Sequence, residues 1–456
     1  MFRTTYSPRG IPDPFRHAGR APLKTHMPSP HPAHRWAIPL LLAALAGSAH
    51  AQQPAASPTG VEAEEDGSTD GTSSWAVSGF GTLGAAHSTS RDADYNTSVL
   101  KRSGAGATRS WSPDVDSRLG AQLDVKLDRR WSAVIQLVSE QRLEHGYRPQ
   151  VEWANVKYQA TPDLALRIGR IALPMFLTAD YRKVGYAYPW VRPPVEGYAS
   201  LPLSSSDGVD ATLHWEFGPV RNISQVFVGH DKVAVPEPLE AYGRKLLGLS
   251  NSSDWGALNV RVNMMRGEIT TNIGSGLFAI LDRFGPAGQA LTSRYAVDHK
   301  QATLLNVGVN YDPGNWFVMG EVGHLTTHSL LGEISNAYLS AGWRWHALTP
   351  YATVSGVRPA GSTADAGLPL AGLPPVLAAQ TAALNAGLRS LLQAAPHQTS
   401  TAIGVRWDAY NNVAFKLQLD RVKPLAGSRG TLINTTPAFR QGRAFQVGSV
   451  TVDFVY

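Results

Sequence analysis

Chemistry in this 456-residue chain would have to start from its ionisable side chains. His324 and His328 stand four apart, but in an alternating run that reads as a β-strand. Positions i and i+4 of a strand share a face ~13 Å apart, too far to hold one metal ion. Asp207 and Asp210 open another such run and have the types of a catalytic carboxylate pair, although capping a loop and lining a wall is the plainer role. There is no GxSxG elbow, no HExxH pair and no GxxxxGK(S/T) phosphate cradle. The absence of cysteine removes disulfides and thiolate metal sites. We therefore assign no catalytic residue, metal ligand or cofactor, and expect no enzyme. What remains is charge. Asp180, Arg182, Lys183, Arg192 and Glu196 lie together within residues 172–206. Such a set can sort solutes by size and field.

The stretch holding them, PMFLTADYRKVGYAYPWVRPPVEGYASLPLSSS, can be neither a regular strand nor a long helix. Pro174, Pro189, Pro193, Pro194 and Pro202 each lack a ladder donor and bias the preceding residue towards extended geometry. An insert this long is either functional or disordered. Phe176, Tyr181, Tyr186, Tyr188, Trp190 and Tyr198 make it too aromatic for disorder. Two readings stay open: an Ω-type surface loop, or a loop folded into the mouth of a barrel, aromatics on the wall and charges towards a channel.

The elements that must position it alternate apolar and polar residues in segments of about ten. They run 75–86, 117–128, 131–140, 151–160, 164–171, 207–217, 221–231, 255–265, 267–274, 301–312, 315–328, 333–346, 350–359, 399–410, 413–423 and 442–456. The pair 255–265 and 267–274 is read as turning at Arg266-Gly267, after a loop over 232–253. A helical turn is expected in LFAILDRFG, and a short helix around LAAQTAALNAGLRSLL. Short Pro/Gly/Asn/Asp turns alternate with loops near 88–116, 141–150, 172–206, 232–253, 275–299, 329–332, 360–397 and 424–441. An even count of about sixteen strands, short turns at one end and long loops at the other, predicts an all-β fold. It is a transmembrane antiparallel up-and-down β-barrel over 75–456, with an infolded third loop.

Size argues for a membrane barrel over a soluble one. A lumen of sixteen strands is too wide for side chains to fill, so it is wet. The polar face carries Arg118, Lys126, Arg167, Arg344, Arg406 and Lys416 as candidate pore-wall cations, with Asp124, Asp210, Glu321, Asp408, Asp420 and Asp453 among them. Burying such a set dry would cost several kcal/mol for each unpaired ion. Trp75, Trp131, Trp316, Trp343, Trp345 and Trp407 fall near strand ends, where interfacial girdles need them. The alternative is an exported β-sandwich or enzyme with polar outer faces.

Residues 1–51 read as an N-terminal extension and signal peptide: Arg35, then WAIPLLLAALAG, then Ala49-His50-Ala51, with Met27 as an alternative start. Residues 52–74, with Glu62, Glu64, Glu65 and Asp66, read as a flexible acidic leader. The formal charge of +6 resides mostly in residues 1–51, so it is no sign of nucleic-acid binding.

With VSGFGTLG (77–84), the third-loop insert, and a last strand SVTVDFVY with Val450, Val452, Phe454 and Tyr456 at period two, the chain resembles the Gram-negative outer-membrane porins. The likeness is to the sixteen-stranded trimeric general-diffusion type or a porin-like relative. VGYAYPWVRPPVEGY is also similar to a group of proteobacterial porin-like proteins. The resemblance implies a homotrimer in outer-membrane lipid and an assembly signal, Phe454 and Tyr456, read by the barrel-assembly machinery. It implies passive diffusion of small hydrophilic solutes and ions. The third loop lacks the acidic run of cation-preferring porins, so their selectivity is not carried over. Near-balanced inward charge predicts weak selectivity leaning to anions. An outer-membrane barrel enzyme of phospholipase or protease type, or a plugged structural or adhesin barrel, stays as the alternative.

Overall fold

A computed structural model describes residues 73–456 except 145, 200–202 and 426. The expected signal peptide, and the leader apart from its last two residues, lie outside the described residues. Among the described residues seventeen strands form one antiparallel sheet. They are β1 (Ser74–Ser88), β2 (Trp111–Ser112), β3 (Arg118–Lys126), β4 (Trp131–Glu140), β5 (Gln150–Gln159), β6 (Leu164–Ala172), β7 (Ser205–Phe217), β8 (Val220–Lys232) and β9 (Ala241–Trp255). Then follow β10 (Leu258–Thr271), β11 (Lys300–Tyr311), β12 (Trp316–Thr326), β13 (Glu333–Trp343), β14 (Leu348–Pro359), β15 (Gln398–Tyr410), β16 (Val413–Pro424) and β17 (Phe445–Val455). The two-residue β2 pairs with β1 on the same flank as β3, so the sheet has sixteen staves, closed by the β1–β17 pairing.

The barrel is a soluble fold turned inside out. Leu83, Ile168, Val228, Val262, Val322, Leu339, Val354, Ile403 and Leu417 are exposed on its outside. Gln136, Asn155, Asp210, Gln225, Asn263, Asn306, Glu321 and Gln418 are buried within it. The strand period of two places these sets on opposite faces.

The seam is built on glycine. Gly81 pairs with Phe454, and Gly79 exchanges two 3.0 Å backbone hydrogen bonds with Tyr456. A Cβ at Gly81 would enter the Phe454 ring, and one at Gly79 the Tyr456 ring. The two residues read as the assembly signal therefore lie across the glycines of the first strand.

One region differs from expectation. The loop after β8 is short, 233–240, and β9 occupies most of the stretch read as loop. The turn lies at Gly256, in left-handed geometry with φ 58°, and β10 runs unbroken through Arg266-Gly267. β9 hid itself because it is polar on both faces near this turn. Trp215 donates from Nε1 to Ser224 Oγ at 2.9 Å, Ser224 to Asn251 at 2.7 Å, Asn251 to Ser253 at 2.9 Å and Ser253 to Asn222 at 2.7 Å. By register these five share the outward face, and their mutual bonds satisfy polar groups that alternation would exclude. Gly267 is no turn residue: it leaves room for Leu246 beside a bulge in β9.

At the long-loop end the helices are longer than predicted. α1 (Val195–Tyr198) belongs to the third loop, while α2 (Ser275–Leu281), α3 (Gly285–Tyr295) and α4 (Pro375–Leu392) share a small core. Phe278, Leu281, Leu291, Val297, Leu330, Leu368, Leu388 and Leu392 form it. Asp365 ties the parts together, accepting from Tyr295 Oη at 2.6 Å and pairing with Arg294 at 3.0 Å. The Tyr295 hydroxyl and the Arg294 guanidinium hold its carboxyl below the usual range.

Two outcomes follow. Gly81→Leu displaces Phe454 and is expected to destabilise the barrel by about 1–3 kcal/mol, read by urea unfolding in lipid vesicles. Because the folded pKa of Asp365 is depressed, its stabilisation is full above the ordinary carboxylate pKa of about 4 and is lost as pH falls through the lower folded value. The difference in melting between wild type and Asp365→Asn should therefore be present at pH 7 and shrink in acid. A difference that persists in acid would mean the contact is not ionic.

Candidate functional site

A lumen this wide offers the third loop, residues 173–204, a place to fold inward. Its neck closes where Leu173 N–H donates to Ser204 O at 3.0 Å. Beyond it, Leu173, Met175, Phe176, Tyr188, Trp190 and Tyr198 are buried against inward Phe227, Leu246, Leu304, Phe317, Leu325, Ile334, Tyr338 and Tyr351. Part of the inner wall is thus apolar, and the loop's aromatic side lies on it. Trp190 meets Tyr338 edge-on at 5.7 Å and donates from Nε1 to Ser340 Oγ at 2.8 Å.

Charged wall residues then fasten the loop's backbone. Lys416 is fully buried; its ammonium donates to the carbonyls of Gly185, Tyr188 and Trp190 at 2.7, 2.7 and 2.8 Å and pairs with Asp453 at 2.9 Å. Arg406 donates to the carbonyls of Tyr186 and Tyr188 at 2.6 and 3.2 Å, stacks on the Tyr186 ring and pairs with Asp408 at 2.7 Å. Gly185 is required at this contact, since a Cβ there would meet the Asp453 carboxylate and the Thr82 hydroxyl.

The loop's own ions divide into two groups. Arg192 and Glu196 are buried at the wall. Arg192 grips Asp116 with two 2.7 Å hydrogen bonds, reaches Asp420 at 3.2 Å and Ser449 at 2.5 Å. Glu196 accepts from Ser355 at 2.7 Å, from Gln398 at 2.6 Å and from Ser400. Asp180, Arg182 and Lys183 lie on a half-buried arm that reaches the other side of the barrel. Asp180 pairs with Arg261 of β10 at 2.8 Å, and Lys183 pairs with Glu140 of β4. Arg182 lies against the rings of Phe176 and Tyr198 and donates to the carbonyls of Leu203 and Tyr198 at 3.0 and 2.7 Å. The loop is thus held at both walls and crosses the lumen.

Of the other wall cations, Arg118 lies beside this arm and donates to the carbonyl of Arg182 at 3.4 Å and to that of Asp116 at 3.3 Å. Arg167 pairs with Asp210 at 2.7 Å. Arg344 and Lys126 lie at the short-turn end, away from the loop; Arg344 pairs with Asp312 at 2.6 Å and Lys126 is exposed.

Sequence reasoning placed Glu321 on the polar face but missed what the loop's ions pair with. Glu321 accepts from Leu177 N–H at 2.8 Å, from Tyr338 Oη at 2.7 Å and from Tyr198. Glu140, Arg261, Asp116 and Asp420 are the ion-pair partners of the loop among the described residues. A lone inward carboxylate facing an aromatic-rich insert was a usable signal for Glu321; Asp116, in a polar loop, had none.

Lys416→Met removes the clamp and leaves Asp453 buried without its cation. The expected cost is about 3–5 kcal/mol, with most of it regained in Lys416→Met/Asp453→Asn. Chemical unfolding of the four members of this cycle measures the coupling, and additive effects would mean that the pair does not act as a unit.

No protein-family model matches the chain, and no curated protein is similar to it in sequence. Solved structures do match. The outer-membrane channel DcaP of Acinetobacter baumannii superposes with a TM-score of 0.50 at 9% identity, over 84% of this chain and 97% of that one. An anion-selective porin from Comamonas acidovorans gives 0.48 at 12% identity, over 84% and 100%. OmpF of Salmonella typhi gives 0.46 at 12% identity, over 84% and 97%. At these identities the likeness is one of fold, and the chain has the closed, sixteen-staved barrel fold of the outer-membrane porins.

Proposed function

We propose that the chain is an outer-membrane porin, a water-filled channel through which small hydrophilic solutes and ions diffuse passively. The observation that carries this reading is the inverted barrel, aliphatic outside and ionised within, with a tethered loop drawn across the lumen. That arrangement suits lipid on one side and water on the other. Export through a cleaved signal peptide rests on Arg35, the apolar run after it and Ala49-His50-Ala51, and assembly by the barrel machinery and a homotrimeric state rest on the family resemblance.

The slight anion lean has support in the pairing pattern. Around the arm, the carboxylates Asp180, Glu140 and Asp116 each have a cation. Arg118 donates to the backbone carbonyl of Arg182 and the Arg182 side chain to those of Leu203 and Tyr198, and neither guanidinium has a carboxylate in ion-pairing reach among the described residues. Cations held only by carbonyls keep their charge available to a passing solute. Asp180, Lys183, Arg192 and Glu196 shape the constriction chiefly by fixing the loop.

One observation favours a second reading, a plugged barrel: the loop is fastened at both walls. Planar-bilayer recording separates the two. The porin reading expects ohmic conductance steps and, in a tenfold KCl gradient, a reversal potential on the anion side. Arg118→Gln/Arg182→Gln should move that potential towards cations. An unmoved potential would remove both residues from the constriction, and a folded barrel without conductance would favour the plug.

A further inference from the structure

The β4–β5 ladder changes register once. Gln136 of β4 lies opposite Trp153, and the next pair is Leu137 with Val151, so Glu152 is an extra residue in β5. A regular strand would send Val151 inward with Trp153 and Asn155, and Glu152 outward. The bulge reverses this: Val151 is exposed on the outside, and Glu152 is 3% exposed. Bulges commonly re-aim a side chain beside a functional site. Here the carboxylate is delivered to a cavity between the barrel wall and the arm of the third loop, lined by Gln136, Glu152, Trp153, Tyr181, Arg182 and Lys183 among others.

The polar groups of this cavity are oriented and incompletely matched. Asp124, as a carboxylate, can only accept, so Gln122 gives it its Nε2 at 2.8 Å. The Gln122 oxygen then takes Nε2 of Gln136 at 2.8 Å. That chain of bonds leaves Oε1 of Gln136, a residue 3% exposed, as a buried acceptor with no partner among the described residues. Glu152 has only a shared cation: Arg142 lies 3.4 Å from it and 3.5 Å from Glu140. Two acceptors, one of them anionic, thus face the cavity and call for a donor that carries positive charge. Lys183 is taken by Glu140. Arg182, bound to carbonyls, keeps its charge for an anion. The enclosed part of the cavity has room for a group about the size of one water molecule. A primary ammonium is of that size; a trimethylammonium is not.

We infer that the bulge in β5 builds a seat for a primary ammonium, with Arg182 beside it for a carboxylate, and that the site binds α-amino acids. The inference rests on the porin reading, since the solute reaches the cavity from the lumen, and it names a substrate class for that channel. Glycine is the probe. Glycolate, which lacks the ammonium, and N,N,N-trimethylglycine, which has the same charges on a bulkier head, are the other arms. Binding to the folded full chain in detergent is titrated by ligand-observed NMR. Wild type should bind glycine at least about tenfold more tightly than either. Glu152→Gln and, separately, Gln136→Leu, which leaves every ion pair in place, should abolish that preference; heat-modifiable gel migration checks that each is folded. Trimethylglycine or glycolate bound as tightly as glycine overturns the seat, as does a preference that survives in both variants. No binding of the three by a folded barrel also overturns it and leaves the cavity to water. Planar-bilayer conductance separates this from failure of the porin reading. A folded barrel that prefers glycine without conducting sinks the channel and keeps the seat, and one that conducts without the preference does the reverse.

Discussion

A closed sheet of sixteen staves encloses more space than its inward side chains can fill. The interior must then be occupied by water, by chain, or by both, and much of this structure follows from that. An inner wall in contact with water has to be polar. Where the third loop takes the place of water, the wall turns apolar under it, as at Phe317, Tyr338 and Tyr351. The wall is therefore divided in character, and the division follows the course of the loop. The outside faces the reverse condition and stays aliphatic around the barrel.

A loop drawn into the lumen leaves its backbone without ladder partners. Unpaired buried carbonyls are costly, and Lys416 and Arg406 resolve the problem by donating to those of Gly185, Tyr186, Tyr188 and Trp190. A buried lysine is itself unfavourable unless paired, and Asp453 answers it. Proline-rich backbone, buried cation and buried carboxylate are thus mutually dependent: each is acceptable because of the next. This explains why wall residues that look from the sequence like free channel charges are fasteners.

The barrel was legible because period two survives along most strands, and because turns such as Pro313-Gly314 and Asn411-Asn412 punctuate it. It failed at β9 for a local reason. Asn251 and Ser253 face outward and find hydrogen-bond partners across strands, which no window of one segment can reveal. The third loop was legible from its prolines and aromatics, and so was the side of it that packs. The role of each charge was not. Arg182 and Arg192 are ten residues apart in one loop and alike in type, yet one donates its hydrogen bonds to carbonyls and the other pairs with two carboxylates. The partners Asp116 and Asp420 come from distant parts of the chain.

That difference decides which of these charges are locally cancelled. A guanidinium enclosed between carboxylates is locally neutral, and a passing ion sees little of it. One held by backbone carbonyls has its geometry fixed without its charge being cancelled, because a carbonyl contributes a dipole and not an opposite unit charge. Arg118 is held in this way by the backbone carbonyl of Arg182, and the Arg182 side chain by those of Tyr198 and Leu203. Lys183 stands next to them but is matched by Glu140. Pairing, more than the tally of inward basic and acidic residues, decides which charges in this lumen stay uncancelled, and the proposed anion lean rests on the two arginines where the loop reaches β3 and β4.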